Sequence, residues 1–428
     1  MRDALLKAST LSFLLLAAAL PWSVAPMSIA LVLCAALTIL VWQLNRVRWV
    51  STPVDLPALA WIAALCLASL FALDPRASWP RVIKGFLLLL VPVSAYHARD
   101  ERIARRAVAV LLISAGLAAV YAVTKFVLAG PEFPNRVKGL VGHPLTYGGQ
   151  AMLLAALASA IAIRCDGRWR VGALLALAVL LPALAGTYTR SAWIGYIAAL
   201  VVILAFTRAR WLAGLAVLLC ALALVLPGAY RARAFSIFDP QNPWNRERVH
   251  MWEAGVRMFR DHPWTGVGLQ DLHSLYERYK SPGAVEPAGH LHSVYVHVAA
   301  TMGIVGLLAL AFLVTGLYRA ARRPFRDHRR APVGADPLGP AISLGVTAAL
   351  TGFLVSGLME WNVGDEELLD LLYVMVGIAF AAAAWARARS AVPREPDLLL
   401  VEASRDQSLG ESAKRRRNQE TSPPRPAR

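Results

Sequence analysis

Apolar runs of roughly 17–25 residues, each about the length of one bilayer crossing, recur from one end of this chain to the other. Twelve can be read: 8–24, 26–44, 55–73, 82–97, 104–128, 144–163, 170–185, 190–207, 211–228, 291–317, 338–359 and 368–387. Pro182 and Gly186 blur one boundary between 170 and 228. With 57% hydrophobic residues in 428 and a mean hydropathy of +0.51, the chain carries more apolar surface than a soluble domain of this size. Backbone in hydrocarbon must satisfy its own N–H and C=O groups, and the runs lack the alternation of barrel strands. The expected fold is an all-α polytopic membrane protein with about twelve transmembrane helices. The first run has a second reading. "MRDALLK", an apolar stretch and "SVA" also fit a cleavable signal peptide, although the helices that follow favour an uncleaved anchor.

The formal net charge of +17 could suggest nucleic acid, but its distribution points to a membrane. Basic residues gather in alternate loops: 45–48, 97–106, 164–170, 207–210 and 318–330, with "KRRR" at 414–417. By the positive-inside rule these loops, and with twelve spans both termini, are cytoplasmic. The polar, Pro-rich segment 390–428 reads as a disordered basic tail that tracks anionic lipid and not nucleic acid. The expected organisation is helices 1–9 over 1–228, a large loop over 229–290, helices 10–12 over 291–389, and the tail. Cys34, Cys66, Cys165 and Cys220 show neither metal spacing nor a disulfide framework. No internal repeat points to the inverted-repeat transporter folds.

The opposite loops, 74–81, 129–143, 186–190, 229–290 and 360–367, are periplasmic in a Gram-negative envelope. Within 246–260, Val249, Trp252, Val256 and Phe259 recur at helical spacing, with Arg246, Arg248, Arg257 and Arg260 elsewhere around the helix. Such a helix can lie on the bilayer and cover a lipid-linked substrate. Arg136, Lys138 and Arg190 stand on the face where basic residues are scarce. Each either snorkels to the interface or faces an anion, for which a guanidinium fork suits phosphate oxygens. His290, His292 and His297 cluster at the mouth of one apolar run, where an ionisable ring needs a reason.

Four segments carry a family resemblance. "HSVYVHVAATMGIVG" places His292, Ser293, Gly303 and Gly306 as in the histidine motif of the O-antigen ligase family. "TRSAWIG" (189–195) resembles that superfamily's Ser/Thr-Arg-x-x-Trp segment, and "RVKGLVGHPLTYGGQAM" (136–152) is similar to its Arg-x-x-Gly-x-x-x-x-Pro stretch. "RERVHMWEAGVRMFRDHPWTGVG" (246–268) resembles its Arg…Trp…Pro-x-x-Gly-x-Gly region. The order matches, and the resemblance extends over most of 50–385. It does not separate a ligase from the related O-antigen polymerases or protein-directed oligosaccharyltransferases.

The resemblance implies a GT-C-type glycosyltransferase architecture and metal-independent, inverting transfer. The donor is O-antigen polysaccharide on undecaprenyl diphosphate. The acceptor is a sugar hydroxyl of lipid A–core oligosaccharide, at the periplasmic leaflet of the bacterial inner membrane. No cofactor is expected, because a lipid diphosphate is already an activated leaving group. The chemistry needs positive charge at the departing diphosphate, assigned to Arg190 and Arg136 with Lys138, Arg246 and Arg248, alongside Trp252 on the glycan. It also needs a neutral histidine base. His292 occupies the motif position. His290, on a helical path, would lie on the opposite side and orient an acceptor or the diphosphate, and His297 reads as a binding residue or a buried, hydrogen-bonded histidine. A zinc site on the three histidines is disfavoured because a helix would spread them. A Ser293–His292 nucleophile pair is disfavoured because helical neighbours do not face each other. Asp365 or Glu366 could support a histidine or arginine. The reading of a different class is a non-enzymatic transporter.

Overall fold

The computed structural model describes residues 2–45, 49–131, 133–322 and 336–390. Among them the regular structure is helical, with no strand. The C-terminal tail, residues 46–48 and residues 323–330 of the basic loops lie outside the described residues.

Every apolar run lies on a helix. In chain order these are α1 (Arg2–Ala19), α2 (Val24–Asn45), α3 (Asp55–Leu70), α4 (Pro75–His97, 3₁₀ over Trp79–Leu89), α5 (Glu101–Leu128), α6 (Pro144–Arg164), α7 (Gly167–Gly186), α8 (Arg190–Thr207) and α9 (Trp211–Val225). The long loop holds α10 (Gly228–Phe235), α11 (Pro243–Asp261) and α12 (His273–Tyr279), and α13 (Val294–Ala321), α14 (Leu338–Ser356) and α15 (Glu366–Ser390) follow. Eight helices among the described residues are long and apolar enough to cross a membrane: α2, α4, α5, α6, α7, α8, α13 and α14. The expected twelve are thus not all of crossing quality. α3 and α9 are apolar but short, α1 opens with Arg2, Asp3 and Lys7, and α15 opens with Glu366, Glu367 and Asp370. Pro182 does not end a helix, since α7 runs through it to Gly186.

α6 is the axis of the bundle. It is buried along almost its whole length and packs against α7, α8 and α14. Its sequence, "PLTYGGQAMLLAALASAIAIR", has no charge before Arg164, so no face has to reach solvent. α8 crosses α14 where Gly195 meets Gly352. A Cβ on either glycine would run into the other's carbonyl oxygen, so two small residues set the helix separation.

α13 breaks at Gly303, whose φ of 63° lies in the left-handed region. The break leaves backbone groups unpaired inside an apolar helix, and the loop after α11 takes them up. Val267 and Gly268 N–H donate to the carbonyls of Ala300 and Thr301 at 2.9 and 3.1 Å. Ile304 and Val305 N–H donate to those of Pro263 and Trp264 at 2.8 and 3.2 Å. This clasp satisfies the requirement that membrane backbone be paired. It explains the glycines of "HPWTGVG" and of the histidine motif together. A Cβ at Gly266 would strike the backbone of Thr301 and Met302, and one at Gly303 the backbone of Trp264. Gly303→Val is therefore expected to destabilise the fold by several kcal/mol through strain and broken backbone pairing. Thermal melting in detergent checks this, and an unchanged melting temperature would contradict the clasp.

α11 is helical as its periodicity predicts, but a different face is buried. Glu247, Met251, Ala254, Gly255 and Met258 point inward, while Val249 and Val256 are exposed. The reason is close packing. Gly255 sits where a Cβ would meet Val296 and Leu291, so α11 docks on α13 through its small and flexible residues. Val249 and Val256 are left outside, and Trp252 and Phe259 are half-buried.

Candidate active site

α13 starts at Val294, with the Ser293 hydroxyl capping it by accepting from Val296 N–H at 3.4 Å. His290 and His292 therefore precede the helix, and the helical path expected for them does not exist. His292 instead adopts a left-handed φ of 43°. Val294 N–H donates to the Gly357 carbonyl at 2.8 Å, which ties this turn to the segment after α14. The result is two corrections. The His290 and His292 rings are neighbours, 4.3 Å apart, and not on opposite sides. The acid that meets His292 is Glu360, not Asp365 or Glu366, which hydrogen-bond to Thr146 and pair with Lys84 respectively.

His292 Nδ1 lies 2.8 Å from Glu360 Oε1, and Arg248 Nη2 donates to Oε2 at 3.2 Å. Glu360 is buried. Burial alone would raise its carboxyl. The His292 hydrogen bond and the charges of His292 and Arg248 outweigh that and hold it at about 2. An ionised carboxylate can only accept, so His292 donates from Nδ1, and a neutral ring held this way has Nε2 left to accept. Burial, then the charge of His292, pushes the second histidine, His290, down to about 4, and its Nδ1 is buried without a partner.

A cleft of ≈ 370 Å³ opens beside this group, with His290, His297, His143, Arg81, Lys84 and Glu360 on its wall. His297 rests on the Trp361 ring at 3.8 Å between centroids. Its Nδ1 is buried with no hydrogen-bond partner. Burial pushes Asp365, also on the cleft, up to about 7 against its Thr146 hydrogen bond.

The arginines come from three segments of the chain. Arg190, 3% exposed, sends Nη1 to the Ser236 carbonyl and hydroxyl at 3.0 Å each and Nη2 to Asn245 Oδ1 at 2.7 Å. Arg136 donates to the Thr187 carbonyl at 2.6 Å and the Thr189 hydroxyl at 2.9 Å. Two of the segments read separately in the sequence thus dock on each other. Arg233 donates to the Tyr188 carbonyl at 3.2 Å. Burial first, and then the charges of Arg233 and Arg248 against the opposing charge of Glu360, bring Arg136 down to about 10. Among the described residues no carboxylate pairs with Arg136, Arg190 or Arg233. Neutral acceptors fix these guanidiniums, while Glu360 pairs directly with Arg248 and acts on Arg136 only at a distance.

The remaining candidates are less engaged. Arg246 and Lys138 are exposed, with no side-chain hydrogen bond or ion pair among the described residues. Trp252 is half-buried with an unpartnered indole N–H. Sequence reasoning missed Glu360, Arg233, Ser236 and Asn245. The one available signal was Glu360 itself, the first acid beyond the apolar α14.

Ligand atoms of His290, His292 and Glu360 lie within 4.8 Å of one another, a grouping that could touch a cation. Both Glu360 oxygens already serve His292 and Arg248, and the Arg248 charge opposes a second cation there. The expected result of chelation with EDTA is full activity. Loss of activity restored by one divalent ion would instead make this a metal centre.

The family model described as O-antigen ligase matches residues 175–311, which hold Arg190, Arg248, both mouth histidines and the Gly303 clasp. The match covers about a third of the chain and shows this region to be similar to the O-antigen ligase family. No curated protein matches the chain. The family match and the eight apolar helices support a bacterial membrane protein of the O-antigen ligase and polymerase type, a class that works on lipid-linked polysaccharide.

Proposed function

We propose that this protein is an O-antigen ligase that transfers polysaccharide from undecaprenyl diphosphate to a hydroxyl of lipid A–core. The observation that carries the reading is the His292–Glu360–Arg248 chain beside a group of arginines held by neutral acceptors. The acceptor oxygen attacks the anomeric carbon as the bond to the diphosphate breaks, and the acceptor proton passes to His292 Nε2. Glu360 fixes the tautomer and stabilises the imidazolium that forms. Arg190 and Arg136, with Arg233, stabilise charge on the departing diphosphate. His290 stays neutral and shapes the acceptor side, while Lys138, Arg246, Trp252 and His297 contact donor or glycan. Geometry disfavours a Ser293 nucleophile, because its hydroxyl caps α13.

In this reading the site faces the periplasm, the basic loops and both termini are cytoplasmic, and 229–290 closes over the membrane-embedded bundle of a GT-C-type enzyme. No cofactor takes part. The test offers purified protein undecaprenyl diphosphate–glycan, with lipid A–core in one reaction and only more donor in another. Product on lipid A supports the ligase. Longer donor would assign a polymerase, and flux through sealed vesicles without turnover a transporter.

A further inference from the structure

A second groove lies at the other end of the bundle and plays no part in the proposed transfer. It measures ≈ 590 Å³ and runs between α5 and α7, two neighbouring helices that start from the same face. Its mouth carries Arg105, Arg106 and Arg168, from the basic loops at 97–106 and 164–170. The walls beyond are apolar, including Ile113, Leu117 and Leu175. The floor is deepened at Gly172, where a Cβ would meet nothing within 4 Å.

The three arginines are not equivalent. Arg105 is consumed by the fold, paired with Glu101 and Asp336. Arg106 and Arg168 are exposed, and no hydrogen bond or ion pair engages their side chains among the described residues. On the groove wall between them and the apolar section sits Trp169, whose indole N–H is buried and unpartnered. A buried donor without an acceptor is a cost that a ligand oxygen would remove.

We infer that this groove binds one anionic glycerophospholipid of the leaflet that bears the basic loops. Arg106 and Arg168 take its phosphate, Trp169 donates to a headgroup or ester oxygen, and an acyl chain lies along α5 and α7. The commitment to a lipid rests on charge complementarity. Two free cations stand at the mouth of an otherwise apolar slot that opens sideways toward hydrocarbon, and basic pockets between membrane helices on the positive side suit anionic headgroups. A soluble phosphate would use the mouth and leave the slot without a function.

The test uses full-length protein in neutral detergent, titrated with phosphatidylglycerol or phosphatidylcholine and read by thermal melting and by lipid retained in native mass spectrometry. The wild type should be stabilised by phosphatidylglycerol and much less by phosphatidylcholine. Arg106→Ala/Arg168→Ala should weaken retention on the order of tenfold or more, for two lost cation contacts. Gly172→Leu, which fills the slot with both arginines intact, should weaken it as well. Gly172 has open space beside it and Leu is a better helix former, so the variant should fold, and its lipid-free melting temperature confirms that. Three results would overturn the inference: equal stabilisation by the two lipids, unchanged retention in the arginine variant, or loss in the arginine variant with full retention in Gly172→Leu. The last would show surface attraction with no built site.

Discussion

His292→Ala is expected to lower transfer by roughly 10²–10⁴-fold, the range attributed to a positioned general base. Membrane insertion and donor binding should survive, because α13 is held by its Ser293 cap and by the Gly303 clasp, neither of which uses the imidazole. A companion variant separates base from scaffold. Glu360→Gln keeps an acceptor for His292 Nδ1–H but removes the negative charge. A charge-assisted hydrogen bond contributes about 1.5–3 kcal/mol, so this variant should lose on the order of tenfold or more in rate.

The sign of the pH effect follows from the same pair. Glu360 is held at about 2 and so remains ionised across the working range. Its depressed carboxyl stabilises the fold above the ordinary glutamate range near pH 4, and that contribution is lost only as pH falls toward 2. Acid inactivation well above pH 4 therefore does not come from protonation of Glu360. Without the carboxylate the imidazolium formed in the transition state is less stabilised, so the rate of Glu360→Gln should be lowered across that range. Transfer rates per folded molecule between pH 4 and 9 measure both effects. A His292→Ala protein with near-normal rate, or a Glu360→Gln protein with an unchanged rate, would remove His292 from the role of base.

The helices were legible because their signal is local. A run of apolar residues long enough to cross hydrocarbon is visible without knowing any partner, and all twelve runs lie on helices. The site was legible only in pieces. Arg190, Arg248 and the two mouth histidines stand in motifs, but Glu360 lies 68 positions beyond His292, and no periodicity connects them. Extending a helix back from α13 misplaced His290, because the boundary is set by the Ser293 cap and the left-handed turn at His292. A serine before an apolar run is a recognised start signal, and reading it would have freed both histidines from helical geometry. Val249 and Val256 of α11 stay exposed, compatible with a helix lying on the bilayer, but its contact with α13, made by close approach at Gly255, has no counterpart in the apolar periodicity. Which helices α6 touches, and that Gly195 meets Gly352, depends on tertiary packing alone.

Arg190→Ala should be close to inactive, and Arg190→Lys should fold and insert yet lose about tenfold or more in rate. A snorkelling arginine would reach the interface and be replaced well by lysine. This one is buried, and its two terminal nitrogens point in different directions, one to Ser236 and one to Asn245. A single ammonium cannot reproduce that fork, nor the bidentate approach to a diphosphate that the fork prepares. One charge-assisted hydrogen bond lost in the transition state contributes roughly 1.5–3 kcal/mol, which sets the scale of the lysine defect. Asn245→Ala supplies the control for geometry against charge. It keeps the guanidinium but removes the acceptor of Nη2 and Asn245's own hydrogen bonds to the Ser236 and Asp239 carbonyls, so its rate should fall between wild type and Arg190→Lys. The measurement is transfer rate and donor affinity per folded molecule for all three variants. Near-wild-type transfer by Arg190→Lys would make the fork irrelevant to the chemistry. Arg190 would then be a fastener between α8 and the 236–245 segment, and the diphosphate would pass to Arg136, whose guanidinium is held by the Thr187 carbonyl and the Thr189 hydroxyl.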